Sequence, residues 1–149
     1  MKEKKKVTLL DRAKADLRVA QRNYHMATEE TDIDICAYHC QQCIEKAIKY
    51  AANLSGQEYS KHPDLYLIIE DLDLPDLIPI IEPYVGTLDT WSSATCYGES
   101  IRSSRKMVEE IIQICKRIIA LAESKTPPVI YTESDVKNKL NMTSDPYNM

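Results

Sequence analysis

Between residues 33 and 54 the apolar side chains recur at alternating steps of three and four: Ile33, Cys36, Cys40, Cys43, Ala47, Tyr50 and Leu54. That spacing holds them on one side of an α-helix, and Ala37, Ile44, Ile48 and Ala51 widen the same face. A face this broad must be covered by other helices. The remaining side is a polar stripe of Tyr38, Gln42, Glu45 and Lys49.

The rest of the chain supplies the covering elements. Residues 8–30 read as a first helix with the stripe Leu10, Ala13, Leu17, Ala20, Tyr24 and Ala27, whose alanines let a neighbour approach closely. Thr31-Asp32 offers a turn and an N-cap for the second helix, and so short a link makes the two helices antiparallel. Ser55-Gly56 closes the second helix with a left-handed glycine cap. A short helix is expected over 64–72. Pro75, Pro79 and Pro83 then recur every four residues, and an interior proline costs a helix ~3 kcal/mol. This predicts a turn at 76–81 and a restart near Pro83, with a helix to about residue 95 facing inward through Tyr84, Leu88 and Trp91. The last helix, 99–124, has the cleanest stripe: Ile101, Ser104, Val108, Ile111, Cys115, Ile118 and Ala122. Periodicity stops after Pro127-Pro128, leaving a polar tail over 126–149 and one domain over 7–125. No strand-like alternation survives. The expected fold is all-α, an up-and-down bundle of four to five helices.

Composition agrees with this and narrows the function. The 149 residues include no Phe and only 3 Gly, which favours helix over strand. A net charge of -4 argues against general DNA or RNA coating, which runs on phosphate neutralisation. No apolar run reaches the ~20 residues that span a bilayer, so no membrane role is expected. The basic start lacks the apolar stretch of a secretory signal. Five Cys is an odd count, and three of them share one helix face, which suits reduced thiols in the cytoplasm.

At the second helix the residues resemble a family, the HEPN domain. The matching features are Ala15-Asp16-Leu17 with Tyr24 downstream, then Tyr38, Gln41-Gln42 and Glu45-Lys46-Ala47-Ile48-Lys49. Lys61-His62-Pro63-Asp64-Leu65 opens the short third helix, and a long final helix follows. The resemblance spans about residues 9–124. It implies a homodimer that works with a nucleotidyltransferase or binds a nucleotide between subunits, with no cofactor. Ribonuclease toxins of the family carry Arg, four to six residues, then His near the last helix. Here Arg102 and Arg105 have no downstream His, and Cys96-Tyr97-Gly98 stands where many members have Arg-Tyr-Pro. A non-catalytic binding module is therefore expected, with the ribonuclease toxin and a purely structural homodimer as alternatives.

The candidate sites each have a plainer explanation. Cys36, Cys40 and Cys43 offer thiolates for zinc, but their places on the apolar stripe suit buried thiols, so no metal is expected. His62 suits a hydrogen bond at a helix start or a ligand contact. The stripe Tyr38, Gln42, Glu45, Lys49 is a solvated face, an interface or a nucleotide contact. Arg102, Arg105 and Lys106 cluster at a helix N-terminus, where the dipole disfavours cations, so they are either a solvated face or a phosphate site. Tyr97 joins them as a residue beside that turn. Neither a catalytic triad nor a glycine-rich phosphate loop is present in the sequence.

Overall fold

The computed structural model describes residues 6–96 and 104–127. Three long helices dominate: α1 (Leu9–Met26), α2 (Glu30–Leu54) and α6 (Arg105–Ser124). Between α2 and α6 come α3 (Leu65–Glu70), α4 (Ile78–Ile81), a 3-10 turn (Glu82–Tyr84) and α5 (Val85–Cys96). Among the described residues there is no strand, and the all-α bundle expected from the periodicity is what forms.

Local chemistry sets the helix ends. Thr8 caps α1: its hydroxyl accepts from Asp11 N while the Asp11 carboxylate accepts from Thr8 N, a reciprocal capping box. The start of α2 corrects the sequence expectation. The helix begins at Glu30 with Glu29 as its N-cap, and Asp32 serves from the first turn as the other half of a capping box; its carboxylate accepts from Thr28 N and Glu29 N. At the far end, Gly56 adopts φ +68, Gly56 N bonds Asn53 O, and Gln57 N bonds Ala52 O, the paired closure that a left-handed residue allows. Ser104 is also reassigned. It lies at the stripe spacing, yet it is the exposed N-cap of α6, accepting from Met107 N.

The proline region resolves as two short pieces. Pro79 occupies the first turn of α4 and Pro83 the 3-10 turn, where a missing N–H is tolerated, and α5 restarts from Val85. The third helix is shorter than expected, and its N-terminus is capped from a distance. Asp89 of α5 accepts from Leu65 N at 2.6 Å and Tyr66 N at 3.1 Å. The α2–α3 loop is tied by Gln57, whose side-chain amide pairs with both backbone groups of Asp73.

α2 lies at the centre, with α1 and α6 packed on it. The core joins Ile44, Ile48, Leu65, Ile68, Leu77, Leu88, Ile111 and Ile118, all fully buried. Leu54, the last member of the α2 stripe, is 40% exposed and lies beyond that core. Cys36, Cys40, Cys43 and Cys115 are buried and reduced, and Cys115 donates to Cys40 O between α2 and α6. Burial, with Cys40 and Asp32 nearby, pushes the Cys36 thiol up to about 11. Among the described residues no group of His, Cys, Asp or Glu has the arrangement of a metal site, and no helix is long and apolar enough to cross a membrane.

Candidate functional site

Two sets of polar side chains project from α2, and only one was expected from the sequence. The unforeseen set faces α1. Asp16 is 9% exposed and carries one partner on each oxygen. His39 Nδ1 lies 2.8 Å from Oδ1, and Lys46 Nζ lies 2.6 Å from Oδ2. Positions 39 and 46 are seven apart, two helical turns, so both meet one carboxylate. The signal was available: a carboxylate falls between Ala13 and Ala20 on the apolar side of α1. A charge there needs partners, because burying it alone is costly.

The foreseen set forms one edge of α2. Tyr38, Gln42, Glu45 and Lys49 are all half-buried rather than freely solvated. Lys49 Nζ is 3.5 Å from Glu45 Oε1 and 5.7 Å from the centre of the Tyr59 ring. The loop after α2 thus covers the end of the edge. Tyr59 also lines a depression with Glu58, Ser60 and Asp71, which gives that neighbourhood an acidic character. Toward the helix start the Tyr38 ring meets His39 edge-on, with centroids 5.1 Å apart. One turn earlier Ile35 continues the same three-four line and is 46% exposed.

Between the two sets lies Gln41, which is fully buried. Its carbonyl oxygen accepts from Gln42 Nε2 at 2.6 Å, while its own Nε2 has no acceptor among the described residues.

The remaining expected residues do not converge on this edge. Arg105 is held at the far end of α1: its guanidinium donates to Ala27 O and stacks 5.7 Å from the Tyr24 ring centre. The negative end of the α1 dipole favours a cation there. The Tyr24 hydroxyl donates to Glu109, and desolvation followed by that carboxylate holds the phenol above its ordinary range. Lys106 is exposed. His62 is exposed at the start of α3, with its Nδ1 accepting from Asp64 N at 3.1 Å, a helix-start hydrogen bond. Tyr97 and Arg102 lie outside the described residues, as does the tail from 128 onward.

Comparison with protein families matches the HEPN domain over residues 7–125. The chain belongs to the HEPN domain family. The match covers most of the chain. No curated protein and no solved structure matches the chain.

Within this HEPN domain the segment from Gln41 to Lys49 divides its work. Gln41 turns inward. Lys46 reaches Asp16, in the Ala15-Asp16-Leu17 segment of α1, so the two stretches that carry the family resemblance touch in space. Gln42, Glu45 and Lys49 form the outer edge.

Proposed function

We propose that this HEPN domain is a protein-binding module that pairs with a second copy of itself through the α2 edge of Ile35, Tyr38, Gln42, Glu45 and Lys49. The observation that carries the reading is the makeup of this edge. An exposed isoleucine and a half-buried tyrosine share one line with polar groups, a combination that suits the apolar centre and polar rim of a protein contact. The one lysine of this edge, Lys49, is already paired with Glu45, and Lys46 on the α1 side is paired with Asp16. A nucleotide phosphate would have to displace Glu45 from Lys49 beside an acidic depression, so nucleotide binding ranks second.

Catalysis ranks lower still. The ribonuclease arrangement calls for a histidine after the arginines of the last helix, and the last histidine in the sequence is His62. The family resemblance adds a nucleotidyltransferase as the partner of the paired domain, and the reduced core thiols fit a cytoplasmic setting.

Melting temperature against protein concentration tests the reading. A chain stabilised by pairing melts higher as concentration rises, and Ile35→Glu abolishes that dependence. A wild-type melting temperature independent of concentration removes the proposal. A rise with millimolar ATP-like nucleotides instead promotes the second reading.

A further inference from the structure

Ile35, Gln42 and Lys49 stand seven positions apart, two helical turns each, and so form one line along the α2 edge. Tyr38 and Glu45, also seven apart, form the line beside it. Gln42 is the midpoint of the first line, and its side chain is held in place. Its Nε2 donates at 2.6 Å to the side-chain oxygen of Gln41, which is fully buried. Among the described residues the Gln42 Oε1 and second N–H have no other partner. A half-buried amide is thus fixed with one acceptor and one donor left over.

An amide so placed is complementary to its own copy. Two of them facing each other across a twofold axis exchange two hydrogen bonds, each donating to the other's oxygen. A carboxylate or ammonium at that position would meet its own charge. We infer, resting on the pairing proposed above, that a twofold axis passes Gln42 and that the α2 helices of two copies cross antiparallel there.

The rest of the edge fits this register. The axis sets position 35 over position 49 and position 38 beside position 45 of the second copy. Ile35, 46% exposed, then packs on the methylene stem of the facing Lys49. The Lys49 ammonium is turned to its own chain, 3.5 Å from Glu45 and 5.7 Å from the Tyr59 ring centre, so the stem remains as cover. Charge selects the direction. α2 opens with Glu30, Asp32 and Asp34, and Lys46 and Lys49 lie beyond Gln42. An antiparallel crossing sets each acidic start against the lysine end of the other copy, whereas a parallel one sets like on like. Gln41 is then a positioning residue. Its own Nε2 has no acceptor among the described residues, so it weakens the core while holding Gln42.

Sedimentation equilibrium of charge variants at the axis tests this in the full chain. Gln42→Glu and Gln42→Lys each bring like charges together, so each alone is expected at 17.1 kDa and an equal mixture at twice that mass. Only a residue that meets its own copy gives this pattern. Gln41→Leu is a second measure: it should raise the dissociation constant about fivefold, the worth of one hydrogen bond, without lowering the melting temperature of dilute protein. A mixture that stays monomeric, either Gln42 variant pairing alone like wild type, or a dissociation constant unmoved by Gln41→Leu overturns the inference. The broader reading fails separately. A wild type at 17.1 kDa removes both, whereas pairing that is lost in Ile35→Glu but kept in both Gln42 variants removes the axis alone.

Discussion

Lys46 on α2 donates a 2.6 Å hydrogen bond to Asp16 on α1, on the opposite oxygen from the one that faces His39. This carboxylate joins the two helices with the most extensive packing in the bundle. Asp16→Ala leaves two nitrogen-bearing side chains in a partly covered site without their acceptor. Breaking a fully buried pair costs about 3–5 kcal/mol. Lys46 and His39 retain 26% and 24% side-chain exposure, so the expected loss here is nearer 2 kcal/mol. Urea unfolding should show a lower midpoint with an unchanged slope. A change below about 0.5 kcal/mol would show that solvent already satisfies both partners.

Two glycines separate backbone strain from crowding. Apart from their chain neighbours and the local helix backbone, neither Gly56 nor Gly86 has an atom within 4 Å of where a Cβ would stand, but only Gly56 has positive φ. Gly56→Ala should therefore cost about 1 kcal/mol through conformation alone. Gly86→Ala, inside α5, should stabilise by about 0.5 kcal/mol by restricting the unfolded chain. Thermal unfolding of the two variants side by side checks the opposite signs.

Acid should weaken the fold through Asp32 and Asp76. Backbone hydrogen bonds from Thr28 and Glu29 lower the first, and the hydrogen bond from Lys125 lowers the second. A depressed carboxyl contributes stability above its ordinary 3.8 and loses it as pH falls through the lower folded value. Alkali acts through Tyr24 and Tyr84. Desolvation and Glu109 raise the first, and a hydrogen bond to Glu110 raises the second. Their contribution holds below the ordinary 10.0 and is lost as pH rises through the higher folded values. Melting temperature should thus plateau between these limits, and Lys125→Met should shrink the acid-side fall.

The core thiols should be inert until the chain unfolds. Reactivity follows the thiolate, and burial disfavours it at Cys36 and, further, at Cys115. Iodoacetamide at pH 8 should leave Cys36, Cys40, Cys43 and Cys115 unmodified in native protein and alkylate all four in guanidinium, as read by peptide mass spectrometry. Rapid native alkylation at any of them would mean that the α2–α6 seam opens.

The elements that were legible from sequence are those whose information is local and periodic. The stripes of α1, α2 and α6 needed only a count of threes and fours. The errors lie where one residue type has two uses. Asp32 looks like an N-cap and instead serves from inside the first turn, while Ser104 sits at stripe spacing and instead caps. Asp89 capping α3 and Lys46 meeting Asp16 are pairings across 24 and 30 positions, which no local pattern announces. The α2 edge was found as a stripe, but its partial covering by Tyr59 came only with the fold. The expectation for Arg105 took account of its own helix dipole and missed that of α1, to which it is bound.

Sedimentation equilibrium of the full chain at micromolar concentration, with wild type and Ile35→Glu run together, tests the pairing most directly. Pairing through the α2 edge predicts a wild-type mass near twice 17.1 kDa and a variant mass of 17.1 kDa. A wild type that stays at 17.1 kDa, or a variant that still pairs, would contradict it.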